Sequence, residues 1–137
     1  MQDRFKFRII IEKDCKTVNG IYKGQFIYYC NGFIQTKLKT YFFGNNKKLS
    51  VLNSQIKAIN QSTGLKDKNG ILIYEGDIVI EHYYNTKETT IKKVFFDEKV
   101  IGFAYTDGIE YNQLSITDGN RLHVIGNIYE NAEILEE

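Results

Sequence analysis

Few residues of this chain have the types and spacing that metal or nucleophilic chemistry requires. The soft ligands are two cysteines and two histidines, Cys15, Cys30, His82 and His123. None of them lies at the CxxC or HxxxH spacing of a zinc site, and neither cysteine has a recognisable histidine partner. The pattern favours free thiols and ordinary histidines, so we expect no metal site and no cofactor.

Two pairs of carboxylates have the residue types for acid–base catalysis. Glu75 and Asp77 flank Gly76, and Asp97 precedes Glu98. Catalytic carboxylates face each other across a cleft, whereas both pairs coincide with predicted turns, where acidic side chains bond backbone amides. The chain also lacks the GxSxG, GxGxxG and GxxxxGK[ST] patterns. We therefore predict that the protein is not an enzyme.

The central stretch has the strongest hairpin signal in the chain. Runs rich in aromatic and β-branched residues, 21–30 and 33–43, flank Asn31-Gly32, a dipeptide that favours two-residue turns. Such a turn places Cys30 opposite Phe33 and Tyr28 opposite Gln35. The more aliphatic side of the ribbon is assigned to the core; it carries Ile21, Gln25, Ile27, Tyr29, Ile34, Thr36, Leu38 and Phe42.

The other side of this hairpin is the candidate binding surface. Aromatic residues accompany lysines there: Tyr22, Phe26, Tyr28, Phe33, Lys37, Lys39 and Tyr41. Sequence-tolerant single-strand binders stack bases on aromatic rings and neutralise phosphates with lysines. The pattern is also compatible with a protein target, and packing of this side on the rest of the protein or on another subunit is the favoured interpretation.

Segments elsewhere that alternate apolar with polar residues, or that are divided by Gly, Asn and Asp turns, predict a mainly β protein. The run 4–12 has period two and is predicted as a strand, 13–18 as a loop, and Asn19-Gly20 as a turn. The segment 49–59 suits either a short helix or an extended chain, and the extended form is favoured. Short strands split by Gly and Asp turns then follow, which is typical of a small barrel or sandwich. Asn131 is predicted to cap a short C-terminal helix from Ala132 to Glu136.

Charge divides the chain into a basic and an acidic part. Residues 1–60 hold eleven Lys/Arg and three Asp/Glu, a balance of +8, whereas residues 61–137 hold seven and fourteen, a balance of −7. We predict two domains, a basic β-hairpin subdomain over 1–60 and a barrel over 61–137. Such an asymmetry indicates either a basic face for nucleic acid or two halves that complement each other, within one chain or between subunits.

Two stretches near the C-terminus resemble the YopX family of phage and prophage proteins. They are TGLKDKNGILIYEGDIV at 63–79 and VIGNIYENAEIL at 124–135, and KFR at 6–8 is similar to the family's opening. The resemblance implies an SH3-like barrel for the C-terminal part, a place in the bacterial host cytoplasm, and no catalytic residues. It favours a non-catalytic accessory protein that serves as an interaction or assembly module; the alternative is nucleic-acid binding by the basic-aromatic hairpin.

The residues of the first stretch have structural explanations. Gly70 and Gly76 suit backbone angles that are closed to other residues, Asp67 and Asp77 suit bonds to turn amides, and Tyr74 suits the end of a barrel core. For partners, a second copy of the chain, a host or phage protein, and nucleic acid all stay open. A membrane partner is not expected, because no apolar run reaches the ~18 residues that a spanning helix needs.

Overall fold

The computed structural model describes residues 6–35, 39–43, 47–83, 86–115 and 118–136. The predicted mainly β class is confirmed. The strands are β1 (Phe7–Thr17), β2 (Gly20–Gln35), β3 (Lys39–Phe43), β4 (Lys47–Val51), β5 (Ile56–Lys66), β6 (Leu72–Tyr74), β7 (Asp77–His82), β8 (Thr89–Asp97), β9 (Gly102–Thr106), β10 (Tyr111–Gln113) and β11 (Leu122–Asn127). Short 3-10 helices span Asn53–Gln55, Asp118–Arg121 and Ala132–Glu136. Within the described ranges, no helix has both the length and the apolar character to cross a membrane.

Two compact units divide the chain, one ending at Gln61 and the next beginning at Ser62. Strand β5 contributes its first half to one unit and its second half to the other. Whether these units are separate domains, as the reversal of charge suggests, stays a prediction. The extended form favoured for 49–59 agrees with β4 and β5, with one 3-10 turn between them.

The first unit is an antiparallel sheet in the order β4-β3-β2-β1-β5. Strands β1 and β2 pair along their length, from Phe7 opposite Cys30 to Thr17 opposite Gly20. A two-residue turn joins them at 18–19, and Gly20 has a φ of 124°, which suits glycine. The predicted turn is therefore present, one residue earlier than expected. The predicted loop at 13–18 is wrong, since β1 continues to Thr17.

The predicted turn at Asn31-Gly32 is also wrong. Strand β2 runs through these residues to Gln35, and the register with β3 shifts between Cys30 and Gly32, as in a β-bulge. Phe33 consequently pairs with Tyr41 and not with Cys30. An Asn-Gly pair tolerates the backbone angles of a bulge as readily as those of a turn. The bulge lets β2 pair with β1 and β3 in succession.

The buried cluster of the first unit lies on the side of β2 that the sequence analysis took as the candidate binding surface. Ile9, Ile11 and Cys30 are buried there, and the side chains that pack against them are Phe7, Phe26, Tyr28 and Ile56. On the opposite side, Ile21 and Tyr29 are 65% and 53% exposed. Buried residues lie on both sides, however, since Ile10, at 0% exposure, pairs with Ile27 on the side that the sequence assigned to the core. Aliphatic content alone misplaced the main cluster because both faces carry large apolar residues.

The second unit contains a curled half-barrel sheet in the order β10-β9-β8-β7-β11, and the end of β5 pairs with β6. Its buried core is formed by Ile73, Val79, Val94, Tyr105 and Leu122. Tyr74 is buried as well. Every pair of neighbouring strands in this sheet is antiparallel, as expected for strands joined by short turns.

The stretch 63–79 works as a hydrogen-bonded connector within the second unit. The Asp67 carboxylate is buried and accepts three backbone N–H groups, from Asn69 at 2.8 Å, Ile71 at 2.9 Å and Val124 at 2.9 Å. It therefore fastens its own turn to β11 at Val124, the first residue of the second family stretch. Gly76 has a φ of 85°, and its N–H donates to the carbonyl of Val94. The architectural interpretation of this stretch agrees with these contacts.

The chain's last described segment is a 3-10 helix and differs from the predicted capped helix. The Asn131 side chain does not cap the turn that follows it; its Oδ1 accepts the N–H of Asn127 at 3.2 Å. The Asn127 side chain in turn accepts the N–H groups of Tyr129 and Glu130. These bonds hold the reverse turn after β11, so the side chain expected to start a helix ends a strand.

Candidate functional site

The predicted binding residues divide into described and undescribed side chains. Tyr22, Phe26 and Tyr28 lie on one side of β2, as predicted. Tyr22 is 53% exposed, whereas Phe26 and Tyr28 pack on the core of the first unit. Phe33 and Tyr41 are paired strand residues and Lys39 pairs with Gln35, but their side chains lie outside those the structure describes. Lys37 lies outside the described residues altogether.

The β1–β2 hairpin extends beyond its neighbouring strands. Strand β5 pairs with β1 only from Phe7 to Ile11, and β3 pairs with β2 only from Cys30 to Gln35. Residues 13–24 therefore have no third strand beside them in the described part of the chain; we call them the arm. Each of its two strands has five residues, with the turn at 18–19 between them, so the arm is about 17 Å long.

One side of the arm carries aromatic and thiol groups. Lys13 Nζ lies 4.8 Å from the centre of the Phe26 ring, a cation–π contact at the base of the arm. Cys15 stands opposite Tyr22, and a hydrogen bond with Cys15 raises the pKa of the Tyr22 hydroxyl. Gly24 leaves room for both neighbours, since a Cβ there would lie 2.6 Å from Cys15 Sγ and 2.8 Å from the Phe26 ring.

The tip and the other side of the arm are exposed. Val18 is 101% exposed and Ile21 65%, although both are apolar. Lys23 Nζ lies 3.8 Å from the Asp14 carboxylate, in an ion pair whose side chains are 76% and 65% exposed. Such surface pairs add little stability. The arm thus combines apolar residues in solvent with lightly engaged charges, which suits a surface that meets a partner.

A buried cluster of charged side chains lies in the second unit, and the sequence analysis missed it. Lys92 Nζ donates to Glu81 Oε1 at 2.9 Å and to Asn112 Oδ1 at 2.7 Å. The Tyr105 hydroxyl donates to Glu81 Oε2 at 2.9 Å and accepts a bond from Arg121 at 3.3 Å. Glu81 lies two residues from the buried Val79, and Lys92 lies two residues from the buried Val94, so each charged residue shares the buried face of its strand. This spacing was the signal available in the sequence.

This charged cluster is built as a closed structural network. Glu81, Lys92 and Tyr105 are at most 2% exposed, and burial, with the bond to Glu81, raises the pKa of Tyr105. The Arg121 side chain, at 32% exposure, reaches solvent and is bonded to Asp118. No buried side-chain N or O atom in the described residues lacks a hydrogen-bond partner. The geometry therefore supports a role in stability, with each group engaged by another.

Other groups with chemical potential are held in turns. The Asp77 carboxylate accepts the N–H of Tyr74, and Asp97 accepts that of Lys99. His82 lies 3.3 Å from Lys68 Nζ. No group of three or more metal-ligating side chains occurs among the described residues. These contacts give the acidic residues backbone roles, in line with the turn interpretation.

A groove of about 340 Å³ lies beside the start of β8 in the second unit. It is lined by Thr89, Thr90, Ile91, Asp107, Ile134 and Leu135. Asp107 is the carboxylate of this lining, and it accepts the N–H groups of Ile109 and Glu110. The bond from Glu110, followed by that from Ile109, lowers the pKa of Asp107. A carboxylate held in this way serves the β9–β10 turn and has no acid or base facing it in the groove.

Comparison with known proteins gives a family match and a structural likeness. The family model described as YopX protein matches residues 8–136. Among solved structures, the chain is similar to protein EF1440 from Enterococcus faecalis, at 24% identity over 95% of this chain and 96% of that chain, with a TM-score of 0.51. At this identity the likeness shows the fold alone. No curated protein matches the chain.

Proposed function

Because this chain belongs to the YopX family, which it matches over residues 8–136, we propose that it is a non-catalytic phage or prophage accessory protein. It works in the host cytoplasm as an interaction or assembly module and binds through the arm. The proposal includes an SH3-like barrel for residues 61–137, supported by the antiparallel, curled sheet of the second unit.

The exposed arm is the observation that carries this proposal. Apart from Gly24 it contains no buried residue, so it adds little to the core of its own unit. Its apolar tip places Val18 and Ile21 in solvent, and within the described part of the chain no core covers them. Natural proteins cover or blunt strand edges because open edges recruit other strands. A partner that covers the tip or the edges accounts for both features.

A shortened arm tests the proposal. Residues 14–23 are replaced by Asn-Gly, which joins Lys13 to Gly24 through a two-residue turn. Because the core of the first unit is retained, we expect the variant to fold with an unchanged unfolding midpoint. We expect the native chain to self-associate, or to retain a specific host protein, and the shortened variant to do neither. Sedimentation velocity at rising ionic strength and affinity capture from host lysate, with and without nuclease, measure these two properties.

The matched control exchanges exposed residues outside the arm. Ile101 and Ile109 are 82% and 88% exposed in turns of the second unit, and their replacement by serine should leave binding unchanged. If the native chain is monomeric at every ionic strength and captures nothing that the shortened variant does not also capture, the arm is not a binding element and the proposal is wrong.

Nucleic-acid binding is the alternative, favoured by the exposed lysines of the arm. Lys13, Lys16 and Lys23 project from a two-stranded ribbon, a shape that the major groove of DNA admits. If this alternative holds, single- or double-stranded DNA is retarded at low salt. Exchange of all three lysines for glutamate should then reduce the magnitude of the negative slope of log binding constant against log salt concentration by about 3. Absence of retardation at low salt would exclude it.

A further inference from the structure

We infer that two copies of this chain associate through the open edge of β1, antiparallel and with Cys15 at the two-fold axis. The inference rests on the proposed function and names a second copy as the partner. Three features of the arm lead to it: the backbone groups that its edge exposes, the order of charges along that edge, and the position of the thiol.

The turn of the arm determines which backbone groups face outward. In a two-residue hairpin the residues that flank the turn, here Thr17 and Gly20, form a hydrogen-bonded pair. Bonded and non-bonded pairs alternate along an antiparallel ladder, so Cys15 and Lys13 also bond to β2. The N–H and C=O groups of Glu12, Asp14 and Lys16 then point to the other edge. This is the edge on which β5 pairs with β1 up to Ile11, and β5 ends before it covers these residues.

Charge selects one register for two such edges. Bonded pairing between copies requires the outward residues Glu12, Asp14 and Lys16 to face one another. An axis at Glu12 or Lys16 opposes that charge to itself, and the remaining symmetric registers have the axis at Lys13, Asp14 or Cys15. A two-fold axis at Lys13 sets Glu12 against Asp14 twice. An axis at Asp14 sets that carboxylate against itself, although it also sets Glu12 against Lys16 twice. An axis at Cys15 sets Asp14 against Lys16 twice, with no like charges opposed. Opposite charges across a strand pair stabilise and like charges destabilise, so the Cys15 register is favoured.

The open edge of β2 offers no comparable selection. Within the arm its outward residues are Ile21 and Lys23, which form the non-hydrogen-bonded pairs with Lys16 and Asp14. Two copies that met along this edge would oppose Lys23 to itself or to an apolar residue. Charge complementarity therefore assigns the β1 edge to the second copy, while the exposed Val18 and Ile21 flank the joined ribbons.

The selected register brings the two Cys15 residues together. They occupy a non-hydrogen-bonded pair, in which the Cα atoms are about 4.5 Å apart, and disulfides form at Cα separations of roughly 4.4–6.8 Å. Cys15 is half-buried, whereas Cys30 is 2% exposed and burial raises the pKa of its thiol to about 11. Thiol oxidation therefore reports on this interface specifically.

Oxidation of the native protein is the first test. Diamide takes up the two electrons and two protons that a pair of thiols releases on forming a disulfide. We expect a disulfide-linked dimer in the native chain and in Cys30→Ser, and none in Cys15→Ser. An equal yield from Cys15→Ser, or no covalent dimer under conditions in which sedimentation shows a dimer, would overturn the inference.

A charge exchange is the second test and does not depend on oxidation. Asp14→Lys alone opposes two lysine pairs, and Lys16→Asp alone opposes two aspartate pairs, so each should raise the dimer dissociation constant about tenfold or more. Mixed in equal amounts, the two variants restore both opposite-charge pairs, and a heterodimer of near-native affinity should form. With an axis at Asp14, Asp14→Lys alone would replace one like-charge pair by another and leave the affinity near the native value, so a loss in both single variants distinguishes the Cys15 axis.

The two proposals fail in different ways. If the native chain self-associates through the arm but shows neither a Cys15 disulfide nor rescue by mixing, the register is wrong and the binding role of the arm stands. If a partner other than a second copy is captured through the arm while the chain stays monomeric, the inference is again wrong and the proposed function stands. If the shortened variant associates as the native chain does, both are wrong.

Discussion

Lys92→Met is expected to lower the free energy of unfolding by about 3–5 kcal/mol, the loss that follows when one partner of a buried ion pair is removed. Lys92 and Glu81 are 1% and 2% exposed, and the substitution takes away the ammonium 2.9 Å from the carboxylate. Glu81 would keep a charge out of water, with the Tyr105 hydroxyl as a donor and Arg121, at 3.9 Å, as the nearest cation among the described residues. Asn112 would also lose its donor. Urea unfolding followed by circular dichroism measures the effect.

Lys93→Met is the matched control for this prediction. Lys93 is the next residue of the same strand, stands opposite Ile78 and is only half-buried, so its replacement should change the free energy by less than about 0.5 kcal/mol. The double variant Glu81→Gln with Lys92→Met removes both charges and leaves an acceptor for Tyr105. It should recover about half of the loss or more. A loss below about 1 kcal/mol in Lys92→Met would show that the pair is not held as described.

Asp67→Asn is expected to lower the free energy of unfolding by about 3 kcal/mol, although the side chains have the same shape. The carboxylate accepts two N–H groups on Oδ1, from Asn69 and Ile71, and that of Val124 on Oδ2. An amide has only one acceptor oxygen, so its NH₂ group must face an N–H on one of these sides. Buried donors left without an acceptor cost about 1–3 kcal/mol each, and the bonds to a charged group are lost as well.

Asp97→Asn supplies the comparison for Asp67. Its carboxylate accepts one N–H, that of Lys99 at 3.0 Å, in an exposed turn, and the variant should lose less than about 1 kcal/mol. Amide hydrogen exchange gives a second measurement, because the Val124 N–H should exchange faster in Asp67→Asn and at the native rate in Asp97→Asn. Equal losses in the two variants would contradict the connecting role of Asp67.

The strands of the second unit were predictable because their signals are local. Runs at 78–84 and 89–96 are rich in apolar and β-branched residues and are bounded by turn residues, so they predict strands there. These predictions coincide with β7 and β8 over the described residues. The first unit resisted prediction where the signal is not local. Asn31-Gly32 suits a turn and a bulge equally, and only the presence of β1 and β3 on the two edges of β2 decides between them. The side of the core follows from the same pairing, so both errors have one origin.

The candidate site was predictable in part. Tyr22, Phe26 and Tyr28 share a face because residues two apart in a strand must do so. This face is part of the core near Phe26 and reaches solvent near Tyr22, because β5 covers only part of β1. The pairing of β5 with β1 joins residues about fifty positions apart in the sequence, as the bond between Arg8 and Asn60 shows, with a separation of 52 positions. The arm exists because β5 and β3 do not pair with residues 13–24, and no pattern within 13–24 could predict this. The Glu81–Lys92 pair had a local signal, but a charge of each sign on adjacent strands is more often read as solvated.

The two-residue turn of the arm also bears on the order in which the first unit folds. A ribbon that closes over two residues forms with little loss of chain entropy, whereas the pairing of β1 with β5 must close a loop of about fifty residues. We expect the β1–β2 ribbon to form first, before β5 arrives. During that interval the edge of β1 is open over its whole length, including the part that β5 later covers from Phe7 to Ile11. If two folding chains met at this stage, the second chain would compete with β5 for the same backbone groups of β1. The length of β5 therefore determines how much of the β1 edge stays available for pairing with another chain in the folded protein.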